Sequence, residues 1–394
     1  MNLFKIIEYF LFGVLVFILV ALILQDVVNV KYTFPEQHAF KGEHLFNPYR
    51  NIDSTKWKIA NFHAHTRFSP GNRGKTDKFD QDLNSFYKNF GYAIINISDY
   101  QRINTYENKN GWYVPVYEHG YQFFKNHQLV LNAGKVSWLD YFFRQTLNNK
   151  QFIINHLKKD TTIVLTIVHP NYREAYSFND FKYLSNYNCL EIANNERVFT
   201  SCYDTILSAG HPVFLMADDD AHGLTKINEA CSSFNLINTD IVRDSILKAL
   251  KTGRSVGVKL NIETYKTDKE KKVAFQQLPE ITFVTVKNDT LIVGLNKTVK
   301  FIKFIGQQGA ERKRITNCER GTYIFSKPDT YIRTEIECFD GTVYFLNPVF
   351  RYDGIRLVEY APSYNVLKTW FWRSAFLAAV LLIFIIWKPI KINA

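Results

Sequence analysis

The sequence lacks a dense basic block, an internal repeat and a low-complexity tract. Its 48 basic and 37 acidic residues give a net charge of +11, but the lysines are scattered among Asn, Tyr and Phe and do not form a nucleic-acid-binding module. The charge therefore suits a phosphate-bearing partner, an anionic membrane surface or a merely solvated surface, and it argues against nucleic acid as a partner. A hydrophobic content of 46% excludes a disordered chain.

Cysteine is scarce, with five residues in 394. Cys318 and Cys338 lie in the same C-terminal segment and are able to pair. The other three, Cys189, Cys202 and Cys231, then leave an odd one, so cysteine usage does not decide the redox compartment.

A long apolar run lies near the N-terminus, over residues 9–24. With its flanks the run is nearly long enough to cross a bilayer, and no small-residue cleavage site follows it. We therefore predict an uncleaved transmembrane anchor over residues 1–29, followed by a linker over residues 30–56.

A second apolar run lies near the C-terminus and predicts a transmembrane helix over residues 367–388, with a tail over residues 389–394. Three tryptophans flank this run, as aromatic rings do at membrane interfaces: Trp370, Trp372 and Trp387. The placement of Lys5, Lys388 and Lys391 favours both termini in the cytoplasm, with the middle of the chain outside it.

The middle of the chain changes character once. Residues 57–262 alternate short apolar runs with helix-like stretches, which predicts a parallel α/β domain. The charged stretch over residues 263–278 predicts a linker, and residues 279–362 switch to short β-rich runs separated by turns. That last segment predicts a small β-sandwich to which we assign no site.

Polar residues end one apolar run after another in the α/β part. They are His63 and His65, Asp99 and Tyr100, Glu118 and His119, His169, and the acidic run 218–220 followed by His222. The C-terminal ends of barrel strands converge on one face, and imidazoles and carboxylates are metal ligands. Any one of these residues is explained more simply as a core or loop residue, but the set predicts a metal cluster.

These segments resemble the motifs of the polymerase-and-histidinol-phosphatase (PHP) superfamily over roughly residues 57–262. The matching segments are "HAHTRFSPG", "ISDY", "VYEHG", "TIVHPN" and "DDDAH", and "LEIANN" resembles a further strand of the family. The resemblance implies an α/β fold class, a distorted TIM-like (β/α)7 barrel, that holds one or two divalent ions of Zn, Mn or Fe.

The resemblance also implies a set of ligands. A first ion would bind His63, His65, Glu118 and Asp220, and Glu118 would bridge to a second ion held by His127 and His169. Two alternatives stay open, because His119 competes with His127 by adjacency and Asp219 competes with Asp220. We expect Asp99 to support a ligand by a hydrogen bond.

The sequence departs from the family at a third metal site. Pro70 and Tyr100 stand where the family commonly has ligands, and His222 alone remains of that site. We therefore expect one or two ions. His222 or Tyr100 is expected to protonate a leaving group or orient the substrate. Arg67 is expected to clamp an anionic oxygen, although a solvated loop arginine explains it equally well.

The function predicted from these residues is a membrane-anchored, metal-dependent hydrolase, most readily a phosphoesterase with a metal-activated hydroxide as nucleophile. Its expected location is a bacterial cytoplasmic membrane, with the hydrolase domain in the periplasm. The expected substrate is a small-molecule or envelope-derived ester, phosphorylated as the resemblance implies. The same hydroxide would also be able to hydrolyse carboxylic esters. The alternative is a PHP-like envelope scaffold protein that has lost catalysis, while two membrane spans disfavour a nuclease.

Overall fold

The computed structural model describes residues 3–66, 79–195 and 197–386. The α-helices are α1 (Leu3–Val28), α2 (Phe79–Asn89), α3 (Leu147–Leu157), α4 (Phe178–Tyr183), α5 (Thr200–Ser208), α6 (Arg243–Lys251), α7 (Asp268–Gln276) and α8 (Val366–Ile386). The strands of the N-terminal half are β1 (Tyr32–Thr33), β2 (His44–Phe46), β3 (Trp57–Asn61), β4 (Ile94–Ile95), β5 (Val116–His119), β6 (Gln128–Leu131), β7 (Val164–Ile167), β8 (Cys189–Ala193) and β9 (Phe214–Ala217). Those of the C-terminal half are β10 (Ser233–Asn238), β11 (Ser255–Lys259), β12 (Ile281–Lys287), β13 (Thr290–Ile305), β14 (Glu311–Ile324), β15 (Tyr331–Glu337), β16 (Val343–Leu346), β17 (Val349–Tyr352) and β18 (Ser363–Tyr364).

Local sequence accounts for two helices of the middle part, α2 and α6. In α2, Asp80 and Asp82 lie in the first turn and Lys88 in the last, which matches the helix dipole. Helix α6 ends just before Gly253, whose φ of 73° lies in the left-handed region that favours glycine. A Cβ at Gly253 would also collide with the ring of Phe214 on β9, so the turn and the packing both require glycine.

Two sheets build the body of the protein. The smaller has the strand order β5-β6-β7-β8-β9, and the larger runs β12-β13-β15-β16-β11-β10-β3-β4, with β14, β17 and β2 attached to it. Strands β7, β8 and β9 are parallel, as are β3 and β4. Phe62 belongs to the hydrophobic cluster under the smaller sheet and Ala64 to the cluster under the larger one, so His63 stands where the two cores meet.

The predicted closed TIM-like (β/α)7 barrel is wrong, because no sheet closes on itself among the residues that the structure describes. One reason is local: the chain turns directly from β5 to β6 without a crossover helix, so these two strands are antiparallel neighbours. Strand β6 is also antiparallel to β7, although α3 lies between them in the chain. The other reason is that single bridges, Ala64 to Ala221 and Tyr100 to Glu118, replace ladders between the sheets. These bridges still bring several strand ends together.

The predicted β-sandwich apart from the α/β part is also wrong. Strand β16 pairs with β11 from Val256–Leu346 to Lys259–Val343, so the C-terminal strands continue the sheet that carries β3. The stretch predicted as a linker, residues 263–278, contains helix α7, capped at its start by the Thr267 side chain.

The N-terminal apolar run forms α1, of which Leu3–Gln25 has a mean hydropathy of 2.8 and is long and apolar enough to cross a membrane. Within the described ranges no second helix passes that test, so the transmembrane helix predicted over residues 367–388 is wrong. Helix α8 covers residues 366–386, and residues 387 and 388 of the predicted span lie outside the described residues. Helix α8 lies against α1.

Candidate metal centre

The two histidines after β3 are placed by backbone pairing with the end of β9. The His65 N–H donates to the Ala221 carbonyl at 2.8 Å, and the Asp220 N–H donates to the His63 carbonyl at 2.9 Å. Because residues two apart on an extended chain share a face, both imidazoles turn to the same side. Asp220 is brought to that side by the same two hydrogen bonds.

The first group of candidate ligands is the predicted one: His63, His65, Glu118 and Asp220. His63 Nε2 lies 3.3 Å from Asp220 Oδ1 and 3.5 Å from Glu118 Oε2, while His65 Nε2 lies 3.1 and 3.0 Å from the same two oxygens. Ligands about 2.0–2.2 Å from zinc at tetrahedral angles are about 3.3–3.6 Å apart. The four side chains therefore stand close to the spacing that one ion requires.

The second group is Glu118, His127 and His169, again as predicted. Glu118 Oε1 lies 2.5 Å from His127 Nδ1 and 3.0 Å from His169 Nε2. One oxygen of Glu118 thus faces the first group and the other faces the second. A carboxylate in this position is able to bridge two ions.

Buried polar atoms without hydrogen-bond partners support the assignment. Two such atoms within the described part of the chain face the shared centre, His63 Nε2 and Glu118 Oε2. Two more, His127 Nε2 and His169 Nδ1, lie on the sides of their rings that face away from Glu118. An unsatisfied buried polar atom costs about 1–3 kcal/mol, so several together in one place call for an explanation. A bound cation supplies one for atoms that face the shared centre, and the donor set of imidazoles and carboxylates fits Zn, Mn or Fe.

Backbone strain also concentrates on the ligands. His169 has φ 31° and Asp220 has φ 53°, both in the left-handed region that β-carbon-bearing residues rarely adopt. Such residues cost on the order of 1–3 kcal/mol each and tend to cluster at functional sites. At both positions the unusual backbone turns a ligand side chain into the cluster.

Sequence reasoning missed one residue of the site, Glu191 on β8. It is fully buried, its Oε1 lies 2.8 Å from His63 Nδ1, and its Oε2 accepts the His169 backbone N–H at 2.8 Å. Glu191 therefore orients one residue from each group of ligands. The available signal was a lone glutamate inside the apolar strand "CLEIA", every residue of which is buried.

Asp99, which was expected to support a metal ligand by a hydrogen bond, binds the residue that follows His65. Its carboxylate accepts from the Thr66 backbone N–H at 2.7 Å and from the Thr66 hydroxyl at 2.7 and 2.8 Å. Asn104 donates to the same carboxylate at 3.3 Å. Asp99 thus holds the chain directly after His65.

The two open alternatives are resolved by contacts. His119 points away from the cluster, with Nδ1 2.8 Å from Gln128 Oε1 and Nε2 2.9 Å from the Leu139 carbonyl. Asp219 instead holds the loop before β10, where it accepts from the backbone N–H groups of residues 231–233 at 2.7–2.9 Å. His127 and Asp220 remain as the candidate ligands.

Tyr100 and His222 stand beside His65. The Tyr100 ring stacks on the His65 ring, and the His222 ring centroid lies 4.4 Å from that of His65. His222 Nδ1 donates to the Asp220 carbonyl at 2.9 Å. Burial, followed by the charges of Glu118 and Asp220, raises the pKa of Tyr100, so its hydroxyl stays protonated. Burial and the neighbouring His65 lower the pKa of His222.

Burial and neighbouring charges shift the pKa values of the candidate ligands. Burial opposes the charge on His63 and His65, but the surrounding carboxylates outweigh it and raise the pKa of both. Burial lowers the pKa of His127 to about 4, so this imidazole is neutral at pH 7. His127 and His63, against the effect of burial, hold the pKa of Glu118 well below its usual range.

A cleft of about 380 Å³ leads to the cluster and includes His169 and Asp220 in its wall. Its other charged lining residues are mostly cationic: Lys125, Arg173, Arg197 and Lys226, with Glu229. Arg67, predicted to bind an anionic oxygen, lies outside the described residues. A larger cavity of about 1140 Å³ lies elsewhere, beside β12, and none of the candidate ligands lines it.

In comparisons with known proteins, no family model matches the chain and no curated protein matches it.

Proposed function

We propose that this protein is a membrane-anchored, metal-dependent hydrolase of the PHP type, most readily a phosphoesterase. The observation that carries the proposal is the position of Glu118, whose two carboxylate oxygens face two separate groups of buried ligands. Paired ions serve phosphatases and nucleases, both of which hydrolyse phosphoesters. The cationic lining of the cleft favours an anionic ester over a neutral one.

The residues divide the work as follows. His63, His65, Glu118 and Asp220 would hold one ion, and Glu118 would hold another with His127 and His169. When bound, such ions lower the pKa of a water and offset the negative charge of a phosphoryl group. Arg173 and Arg197 would bind the phosphoryl oxygens, since a guanidinium donates paired hydrogen bonds to them.

The contacts of His222 and Tyr100 suit these two residues to different roles. His222 has its proton on Nδ1, held by the Asp220 carbonyl, and its lowered pKa keeps the ring neutral, so Nε2 is an acceptor. It therefore suits orienting a water. Tyr100 keeps its proton and suits donating a hydrogen bond to the oxygen of the leaving alcohol.

The proposed location is the periplasmic face of a bacterial cytoplasmic membrane. One helix, Leu3–Gln25, is long and apolar enough to anchor the chain, and Lys5 at its start favours a cytoplasmic N-terminus. A single span in that orientation leaves the cleft on the other side of the membrane.

Metal content tests the proposal. The full-length chain, purified in detergent without added metal, is expected to carry one or two ions of Zn, Mn or Fe per chain by mass spectrometry. The ions should be lost in His63→Ala and Asp220→Asn. The matched control is His119→Gln, a buried histidine on the same strand as Glu118 that points away from the cluster.

Hydrolysis of p-nitrophenyl phosphate, bis(p-nitrophenyl) phosphate and p-nitrophenyl acetate then separates ester classes. We expect turnover of a phosphoester that depends on His63. Turnover of the acetate alone would show that the substrates are carboxylic esters and not phosphoesters. Absence of bound metal, with none taken up on titration, would favour the scaffold protein that has lost catalysis.

A further inference from the structure

Four large aromatic side chains stand exposed on two neighbouring loops, and we call them the aromatic rim: Tyr121, Phe123, Trp138 and Phe142, with exposed fractions of 52, 70, 68 and 77%. The loops are those that leave β5 and β6. Exposed apolar groups of this size in one region mark an interaction surface.

The two loops that carry the rim are fixed to each other. The Tyr121 backbone N–H donates to Asp140 Oδ2 at 3.1 Å, and the Tyr121 hydroxyl contacts the Asp140 carbonyl at 3.4 Å. The Leu139 carbonyl is bound by His119 Nε2 at 2.9 Å. Hydrogen bonds therefore hold the two loops of the rim together, and His119 at the end of β5 supports them.

The rim adjoins the cleft. The Arg173 guanidinium lies 4.7 Å from the Phe123 ring centroid, and Arg173 also lines the cleft. Lys125, two residues after Phe123, lies 5.0 Å from the Tyr100 ring centroid and lines the cleft as well. Cationic side chains thus connect the exposed aromatic rings to the candidate metal centre.

The same rim adjoins the end of the apolar helix α1. The Phe143 backbone N–H, directly after Phe142, lies 3.5 Å from Gln25 Oε1, where the candidate membrane span ends. A few residues on, the Tyr32 backbone N–H donates to Asn148 Oδ1 at 2.7 Å and ties the chain that leaves α1 to the start of α3. A bilayer that surrounds α1 would reach its surface beside Phe142.

The composition of the surface fits a headgroup layer. Tyr and Trp are enriched at membrane–water interfaces because their rings are apolar at one end and polar at the other. Lysine and arginine next to such rings attract anionic lipid headgroups. A protein partner would need neither the adjacent membrane helix nor the cationic path from the rim into the cleft.

We propose that the aromatic rim rests in the headgroup layer of the membrane that holds α1, so that the cleft receives a phosphorylated amphiphile from the bilayer. The choice of substrate rests on the proposed function, whereas the membrane contact does not. In the reaction, water adds its oxygen to phosphorus, the P–O bond to the lipid alcohol breaks, and the alcohol oxygen takes a proton. The phosphate is released into the aqueous phase, and the lipid alcohol stays in the bilayer.

Fluorescence of Trp138 tests the contact without any need for activity. The full-length chain is placed in vesicles of phosphatidylcholine with brominated acyl chains, which quench tryptophan on close approach, and in unbrominated vesicles. The part of the emission that Trp138→Phe removes is expected to be quenched by about half or more in brominated vesicles. No quenching of that part overturns the membrane contact.

A control tryptophan is available at Ile324. This residue is 70% exposed on β14, opposite Thr290, at a hairpin end beside the cavity lined by Lys56 and Arg254, away from the cleft. Ile324→Trp in the Trp138→Phe background should not be quenched. Equal quenching at both positions would show that the chain enters the bilayer without preference. It would refute a membrane contact that is specific to the aromatic rim.

Turnover tests the substrate class. The double variant Trp138→Ala, Phe142→Ala is expected to hydrolyse phosphatidic acid in vesicles about tenfold more slowly than the wild type, because two rings that would enter the headgroup layer are lost. Its hydrolysis of p-nitrophenyl phosphate should be unchanged. A parallel fall for both substrates would refute delivery from the bilayer. Quenching of Trp138 in a wild-type protein that hydrolyses neither ester would keep the contact and reject the proposed function.

Discussion

The ring of Tyr100 lies flat on the imidazole of His65, with ring centroids 4.5 Å apart and planes inclined by 9°. The tyrosine stands where the family resemblance would place another metal-binding histidine. Here it contributes packing, and it covers one face of a candidate ligand. The stack limits how His65 can rotate before an ion is bound.

Tyr100→Ala should therefore weaken metal binding, whereas Tyr100→Phe should preserve it. Loss of an aromatic stack of this kind is expected to lower metal affinity by about 2- to 10-fold. Competition against a coloured chelator measures the difference. If Tyr100→Phe weakened binding as much as Tyr100→Ala, the hydroxyl and not the stack would hold the site.

Glu191→Gln should lower metal affinity by about 10- to 100-fold while the fold is retained. The reason is that Glu191 is bound to His63 Nδ1 and to the His169 backbone N–H, each at 2.8 Å. The same chelator competition applies, with circular dichroism to confirm folding. The matched control is Glu335→Gln, another buried glutamate, which pairs with Arg333 outside the cluster and should leave metal affinity unchanged.

Stability should depend on pH through Glu335. Burial disfavours its charge, but Arg333 and Lys303 outweigh burial and hold the pKa of Glu335 below its usual value of 4.5. A lowered folded-state pKa stabilises the fold above the unfolded value and loses that contribution as the pH falls through the folded value. Glu335→Gln should thus be about 1–3 kcal/mol less stable than the wild type at pH 7.

Urea unfolding at a series of pH values checks this. The gap between wild type and Glu335→Gln should narrow as the pH falls below about 4.5, where the unfolded-state carboxyl begins to be protonated. A gap that stays constant down to acid unfolding would contradict the assignment of the charge to Glu335.

Arg173→Gln should raise KM for a soluble phosphoester by about tenfold and change kcat little, because it removes a charged donor from the cleft wall and none of the candidate ligands. Steady-state kinetics with bis(p-nitrophenyl) phosphate or the active phosphoester measures both constants. Arg314→Gln is the control, since Arg314 pairs with Glu311 on the exposed strand β14. A fall in kcat with unchanged KM would assign Arg173 to the reaction step instead of binding.

The candidate ligands were predictable because they follow strand ends. His63, Glu118 and Asp220 each end an apolar run that does form a strand, and residues at such ends meet whether or not the sheet closes. Periodicity alone did not separate His127 from His119. That choice depends on the antiparallel register in which His119 pairs with Gln128, and register is a tertiary property.

The closed barrel and the separate sandwich were not predictable from local pattern. A strand such as β16 has the same apolar alternation whether its neighbour is β15 or β11, and it pairs with both. Glu191 was missed for the same kind of reason, because a buried acid inside a strand reveals its partners only after His63 and His169 are placed beside it.

Strand β11 lies inside the larger sheet, hydrogen-bonded to β10 on one side and to β16 on the other. A protease that cut between β11 and β12, followed by loss of the C-terminal piece, would uncover the backbone of β11 along its whole register from Val256 to Lys259. A bare, apolar sheet edge recruits other chains and leads to aggregation. The C-terminal strands thus cover this edge, and we expect the part of the chain that carries the candidate metal centre to aggregate when they are removed.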